Sequence, residues 1–151
     1  MNLSKEWDSV TPKLFGYLVN TLRDKTLAED IFQTTWMKAI EALPKFEQRG
    51  KGFSAWLFAV ARNECKQHWR KANREVALDP QEHDIPIDPT VESSVLVEQL
   101  LARLPEDDRE LLRLRYIADL SMSEIAKILN INFIAVRVRI HRALKRAQQY
   151  A

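Results

Sequence analysis

The chain has 151 residues, enough for one ordinary domain or two small ones, and its hydrophobic content of 46% is typical of a folded protein. With 3 glycines, 6 prolines and no segment that alternates apolar and polar residues, it predicts an all-α fold. The net charge of +2 is unevenly divided: residues 31–74 carry +6 (9 basic, 3 acidic), residues 75–110 carry −9 (2 basic, 11 acidic) and residues 111–151 carry +6 (8 basic, 2 acidic). Two basic blocks around an acidic one indicate a nucleic-acid partner.

Other features argue against secretion, membrane insertion and catalysis. The first residues contain no apolar leader region, and the longest apolar run, residues 55–61, is too short to cross a bilayer. The lone cysteine, Cys65, cannot form an internal disulfide and is expected to be a half-buried helix residue. The three histidines lack metal-ligand spacing. We therefore expect a cytoplasmic protein with no membrane segment, which is not an enzyme and binds no metal or cofactor.

Three helices are predicted in the first half of the chain from apolar residues at helical spacing. They span residues 4–22, 27–43 and 53–73, and Pro44 is expected to end the second of them. A polar loop with two glycines, residues 45–52, would join the second helix to the third.

The second helix has two contrasting sides. One side should be buried; it consists of Ala28, Phe32, Trp36, Ala39, Ile40 and Leu43. The opposite side is polar but not basic, which makes it a poor surface for DNA; it consists of Asp30, Gln33, Thr34, Met37 and Glu41. Periodicity alone leaves two interpretations of this side open, a protein-binding face and plain exposure to solvent.

The third helix combines a core side with a basic, aromatic side. The predicted core residues are Phe53, Trp56, Leu57 and Val60. The far side carries Arg62, Lys66 and Arg70, with Trp69 beside them. Cations next to an aromatic ring can pair with phosphates and stack on exposed bases. An ordinary solvated face is the alternative, and a second DNA-binding signal near the C-terminus favours the functional interpretation.

Residues 74–90 are predicted to form a flexible acidic linker, because three prolines lie among acidic residues with little apolar periodicity. A packed surface loop is the alternative. Negative charge between two basic blocks suggests a further hypothesis, that this segment discourages DNA binding by the free protein.

The last part of the chain, from residue 91, is predicted to form a second helical domain. One helix stops before Pro105, another spans residues 106–117, and Ser121 or Ser123 begins a short third one. After a turn at residues 130–132, a final helix spans residues 133–148. Its expected core residues are Phe133, Val136, Ile140, Ala143 and Leu144.

The short helix, the turn and the final helix have the spacing of a helix-turn-helix. Asn132 is placed to cap the final helix through its side-chain oxygen. Base-reading or backbone candidates on the exposed side are Arg137, Val138, Arg139 and Arg142, and phosphate candidates are Lys145 and Arg146. A helical hairpin with a solvated basic face is the alternative.

Taken together, four segments resemble the bacterial sigma-70 factors, in the compact form of the extracytoplasmic-function (ECF) class. They are Ala-Glu-Asp-Ile-Phe-Gln-Thr-Thr-Trp at 28–36, Phe-Ser-Ala-Trp-Leu-Phe-Ala-Val-Ala-Arg-Asn at 53–63, Leu-Pro-Glu at 104–106, and the helix-turn-helix. The resemblance implies an all-α protein with two small helical domains joined by a flexible acidic linker. Residues 1–73 would be sigma region 2, residues 74–90 the linker, and residues 91–151 sigma region 4.

The resemblance also implies roles for individual residues. The second helix would dock on the largest subunit of core RNA polymerase, with Trp36 in the core; the polymerase-binding residues would be Asp30, Gln33, Thr34 and Met37. The following loop and the third helix would capture a flipped base of the −10 element and contact DNA around it; the residues would be Phe46, Phe53, Arg62, Asn63, Lys66, Gln67 and Arg70. The final helix would read the −35 element.

Four residues depart from the family pattern. Trp69 replaces a usual aliphatic residue and is either core or a base-stacking platform, and Gln67 occupies an often acidic position. Ala135 and Val138 replace polar residues of the final helix, so Val138 would contact a thymine methyl instead of forming a hydrogen bond. These departures leave open which −35 sequence the chain prefers, and they do not affect the expected DNA-binding role.

The function that this resemblance implies is promoter selection for RNA polymerase. The expected partners are core polymerase, promoter DNA and, by the resemblance alone, an anti-sigma factor. An autonomous helix-turn-helix regulator, which binds an operator without polymerase, is the alternative. It accounts for the C-terminal half of the chain and leaves residues 28–71 without a use.

Overall fold

A computed structural model of the protein describes residues 3–49, 52–76, 99 and 101–150. These residues contain helices, turns and no strand. The chain divides into two compact units, Met1–Pro86 and Ile87–Ala151. The prediction of an all-α protein with two helical domains is confirmed.

The first unit consists of three helices: α1 (Leu3–Leu22), α2 (Lys25–Arg49) and α3 (Phe53–Val76). Two local features separate α1 from α2. Arg23 adopts a left-handed conformation (φ 55°), which ends α1. The carboxylate of Asp24 accepts a hydrogen bond of 3.1 Å from the backbone N–H of Leu27 and thereby caps the start of α2.

The prediction that Pro44 ends the second helix is wrong, since α2 continues through Pro44 to Arg49. A proline inside a helix removes the hydrogen bond to the carbonyl four residues earlier, here that of Ile40. Both residues are exposed, so water can satisfy this carbonyl and the helix continues. Residues 45–49, predicted as a loop, are therefore helical. The predicted linker also begins with helix, at residues 74–76, and its remainder lies outside the described residues.

Aromatic rings dominate the core of the first unit. The buried ring of Trp36 lies 4.3 Å from that of Trp7 and 6.0 Å from that of Phe53, and Tyr17 packs edge-on against Phe58 at 5.5 Å. The core roles predicted for Trp36 and Phe53 are confirmed. The structure also buries side chains for which no core position was predicted, among them Ile31, Thr35 and Phe58, and it buries Cys65, which was expected to be only half-buried.

Ile40 was expected in this core, yet 54% of its surface is exposed. Each helical residue turns by about 100°, so Ile40 stands that far from its buried neighbour Ala39. The covered side of α2 instead runs through Ile31, Thr35 and Ala39. The hydroxyl of Thr35 can be buried there because it donates a 2.7 Å hydrogen bond to the carbonyl of Ile31.

The second unit contains α4 (Glu106–Leu112), which continues as a π-helical turn (Arg113–Ile117), then α5 (Met122–Leu129) and α6 (Phe133–Gln149). Of the helix predicted before Pro105, the described residues 99, 101 and 102 are helical. The core of the second unit includes Leu101, Leu104, Leu112 and Ala143, with Leu144 and Ala147 packed against them.

Local side-chain chemistry sets the boundaries of the helix-turn-helix. Ser121 and Glu124 form a reciprocal capping box at the start of α5, with hydrogen bonds of 3.1 and 3.0 Å. Asn130 ends α5 in the left-handed conformation (φ 54°). Asn132 accepts a 2.6 Å hydrogen bond from the backbone N–H of Ile134, which confirms its predicted role as the cap of α6.

Phe133, which was expected in the core, is exposed. It is the first residue of α6, and the fully buried positions of this helix begin one turn later, at Val136. The helical period places Phe133 on the correct side, but its ring projects beyond the part of α6 that the other helices cover.

A buried guanidinium ties the π-helical turn to α4. Arg113 donates hydrogen bonds to Glu106 at 2.5 Å and to Glu110 at 2.9 Å. Burial by itself lowers the pKa of Arg113, but the carboxylates of Glu110 and Glu106 raise it by more, so the pKa lies above its ordinary value. Arg113 is therefore a permanent cation with two fixed counter-charges.

Candidate polymerase-binding and DNA-binding surfaces

The first candidate surface, the α2 face, consists of Asp30, Gln33, Thr34 and Met37. Asp30, Gln33 and Met37 are exposed, and Thr34 is half-buried with its hydroxyl donating to the carbonyl of Asp30 at 3.0 Å. The four residues occupy successive turns on one side of α2, so the structure brings together the residues that the sequence singled out.

Ile40 extends the α2 face by one turn. It lies three residues after Met37, and the two side chains are 54% and 65% exposed. Two large apolar side chains at the end of a polar strip resemble a protein interface, where methionine is enriched and charge is depleted at the centre. Sequence reasoning missed Ile40 because it assigned the residue to the core.

An ion pair next to the α2 face joins α2 to α3. Lys38 pairs with Glu64, whose side chain is largely buried while that of Lys38 remains half-exposed. The pair adds an electrostatic link between α2 and α3, which pack directly against each other within the first unit.

The second candidate surface, the α3 face, consists of Arg62, Asn63, Lys66, Gln67 and Arg70. All are exposed except Arg62, which is half-buried. Three of the five are cations on consecutive turns. Trp69 lies at the edge of this face and is 39% exposed, which favours a surface position over the core position that the sequence left open.

Two aromatic residues predicted to contact the −10 element do not lie on the α3 face. Phe53 is buried, and its ring lies 5.9 Å from that of Trp56 and 6.0 Å from that of Trp36, which places it in the core of the first unit. Phe46 lies on α2 instead of in a loop, and its side chain is outside the described residues.

The third candidate surface, the α6 face, consists of Arg137, Val138, Arg139, Arg142, Lys145 and Arg146. All six residues are exposed. Within the described part of the chain, the first five form no hydrogen bond or ion pair through their side chains. They are available to a partner along most of the length of the helix.

Arg146 differs from the other cations of the α6 face, because its guanidinium donates to the carboxylate of Asp108 on α4 at 2.7 Å. The Asp108 side chain is mostly buried. Arg146 was predicted to contact a phosphate, but in this structure it anchors α6 to α4. A sequence separation of 38 residues hid this pair from sequence reasoning.

Ile134 is the residue of α6 that sequence reasoning missed. It is 67% exposed although it is a large aliphatic residue in the first turn of the helix. Two positions, or about 200° of rotation, separate it from the buried Val136. The helical period therefore contained the signal for its exposure.

Comparison with known proteins assigns both units to one family. The family model for sigma-70 region 2 matches residues 7–75, which hold the α2 and α3 faces. The family model for sigma-70 region 4 matches residues 94–146, which hold the α6 face up to Arg146. This chain belongs to the sigma-70 family. The sequence resemblance is thereby confirmed.

Individual relatives place this sigma factor in the ECF class. It is 33% identical to the ECF RNA polymerase sigma factor ShbA of Streptomyces griseus, over 82% of this chain and 71% of the relative. It is 30% identical to the ECF RNA polymerase sigma factor SigW of Bacillus subtilis, over 89% and 81%. Among solved structures, the sigma factor RpoE in complex with the anti-sigma factor NepR from Bartonella quintana matches with a TM-score of 0.79 and 26% identity, over 98% of this chain and 95% of that one.

Within the described residues, no helix combines the length and apolar composition that crossing a bilayer requires. The same residues contain no cluster of three or more histidine, cysteine, aspartate or glutamate side chains suited to a metal ion.

Proposed function

We propose that this sigma factor directs core RNA polymerase to promoters through the three surfaces described above. The α2 face binds polymerase, the α3 face binds and holds the melted −10 element, and the α6 face binds the −35 duplex. The observation that carries the proposal is the joint presence of region 2 and region 4 matches, each containing one unit's exposed candidate surfaces.

The chemistry of each surface fits its proposed role. The α2 face carries an exposed carboxylate, an amide and exposed apolar side chains, a set suited to a protein and not to a polyanion. The α3 face offers cations for phosphates, and the partly exposed Trp69 at its edge offers a ring for an unstacked base. Binding separated bases better than paired ones shifts the equilibrium toward the open strands.

The α6 face fits a duplex. Exposed arginines on a recognition helix reach base edges or phosphates in the major groove, and helix-turn-helix proteins present this helix to DNA. Arg137, Arg139 and Arg142 lie within the first ten residues of α6, and Lys145 follows. Arg146 contributes by anchoring the helix on α4.

The alternative of an autonomous operator-binding regulator is not favoured. It requires only the second unit, whereas the region 2 match covers α1 to α3. We further propose that the chain acts in the cytoplasm, where its polymerase is, and that it contributes binding and no covalent chemistry. By analogy with the RpoE–NepR complex, an anti-sigma factor that covers these surfaces is a proposed partner.

The double substitution Asp30→Ala with Gln33→Ala tests the proposed role of the α2 face. We expect weaker binding to core polymerase, measured by fluorescence anisotropy of the labelled chain, with an unchanged unfolding curve because both residues are exposed. Glu29→Ala, which removes the same charge from a neighbouring exposed position, is the matched control. Equal affinity for the double variant and the control would contradict the assignment.

A further inference from the structure

We propose that Ile134 and Val138 recognise the methyl groups of thymines in the −35 element, so that this sigma factor selects thymine at two nearby positions. The inference rests on the −35-binding role proposed for the α6 face. It adds the identity of the bases that the first two turns of the helix select.

Ile134 and Val138 form an exposed apolar stripe at the start of α6. They are 67% and 40% exposed, and a spacing of four residues places them on one side of the helix. The cap that Asn132 provides to the backbone N–H of Ile134 fixes the first turn. The N-terminal residues of a recognition helix are the ones that reach base edges, so this stripe lies where a groove would be read.

The charges around the stripe identify nucleic acid as its occupant. Arg137, Arg139, Arg142 and Lys145 flank it, and all four are exposed. An apolar protein surface seated on Ile134 and Val138 would remove water from these cations without supplying counter-charges. A DNA groove presents phosphates to the flanking cations and base edges to the stripe between them.

The chemistry of the base edges then selects thymine. Neither Ile134 nor Val138 has a hydrogen-bonding side chain. In the major groove thymine presents a methyl group, whereas adenine, guanine and cytosine present hydrogen-bonding groups and no methyl. Covering those polar edges with an aliphatic side chain removes water and returns no hydrogen bond. A thymine methyl group at the same place on the base edge instead gains apolar contact with the aliphatic side chain.

The spacing of the two side chains limits where the thymines lie. Four residues of helix correspond to a rise of about 6 Å. Successive bases along one strand are about 3.4 Å apart. The two thymines should therefore be adjacent or separated by a single base pair, a narrower prediction than a general preference for A·T pairs.

Replacing thymine by deoxyuridine, which removes only the methyl group, tests the proposal. The −35 element is first selected from a randomised promoter library by holoenzyme made from the full chain and core polymerase. Each thymine is then replaced in turn, and promoter affinity is measured. We expect about a fourfold loss at each of two nearby positions, the value for one buried methyl-sized group. Ile134→Ala should abolish the loss at one position and Val138→Ala at the other.

One control variant and three possible outcomes decide the proposal. Gln148→Ala, an exposed change near the end of α6, should keep both thymine preferences. The proposal is overturned if the selected element lacks nearby thymines, if deoxyuridine binds equally at every position, or if both alanine variants keep the full preference. Those results leave −35 recognition intact. Failure to form holoenzyme, or to select any −35 element, would overturn the proposed function as well.

Discussion

Replacing Arg113 by methionine is expected to destabilise the second unit by about 3 kcal/mol. The side chain of Arg113 is 5% exposed and that of Glu110 is 12% exposed, while that of Glu106 is 55% exposed. Removing one partner of a buried pair costs about 3–5 kcal/mol, because the other charge stays largely buried and loses that counter-charge. Glu106 can regain water and Glu110 cannot, which places the expected cost at the lower end of that range.

Thermal unfolding followed by far-ultraviolet circular dichroism measures this effect. A loss of about 3 kcal/mol lowers the midpoint of a small domain by roughly 12–24 °C. The four tryptophans, Trp7, Trp36, Trp56 and Trp69, all lie in the first unit, so their fluorescence identifies the part of the transition that belongs to that unit. The remaining part of the dichroism signal reports the second unit.

A second variant separates the loss of the ion pair from a loss of packing. Arg113→Met with Glu110→Gln also removes the largely buried carboxylate that faces Arg113, so the double variant should recover about 1 kcal/mol or more relative to Arg113→Met alone. Glu106→Gln should cost less than about 1 kcal/mol, since Glu106 is half-exposed and Arg113 keeps Glu110. A double variant no more stable than the single one would refute the electrostatic reasoning.

Three further changes test individual parts of the account. Ser121→Ala should lower the stability of the second unit by about 1 kcal/mol, because the capping box at the start of α5 is lost, and Ser121→Asp should retain most of it. On a matched −35 element, Arg142→Ala should reduce promoter-dependent transcription by the factor that corresponds to about 1–3 kcal/mol. An equal loss on scrambled elements would make Arg142 a phosphate contact. Neutralising Asp79, Glu82, Asp84 and Asp88 should raise the DNA affinity of the free protein at low salt, and an unchanged affinity would remove the hypothesis that this segment competes with DNA.

Local chemistry explains which parts of the fold the sequence predicted. Ser121, one of the two helix starts that the sequence offered, begins α5 with a capping box to Glu124, and Asn132 caps α6 as its position before an apolar run indicates. The core positions predicted from helical spacing at Trp36 and Val136 are also buried in the structure. These features depend on residues within one or two helical turns, which the sequence displays directly.

The errors concern the limits of tertiary contact. Phe133 has the residue type and phase of a core position, but the covered part of α6 ends before it. Ile40 has the residue type of a core position but stands about 100° from the buried Ala39, off the covered side of α2. Pro44 does not end α2, because its lost hydrogen bond falls on an exposed carbonyl. The Arg146–Asp108 pair depends on how α6 packs against α4, and no pattern along one helix contains that information. Residue roles on the α2, α3 and α6 faces remain predictions that experiments must test.

Promoter-directed transcription with and without this chain tests the central claim most directly. Purified core RNA polymerase is supplied with a randomised promoter library on supercoiled DNA, and the transcript starts are sequenced. The account predicts a set of starts that appears only when the chain is added and that shares a −10 and a −35 element, while the chain alone gives no sequence-specific footprint. An identical set of starts without the chain, or a specific footprint by the chain in the absence of polymerase, would contradict it.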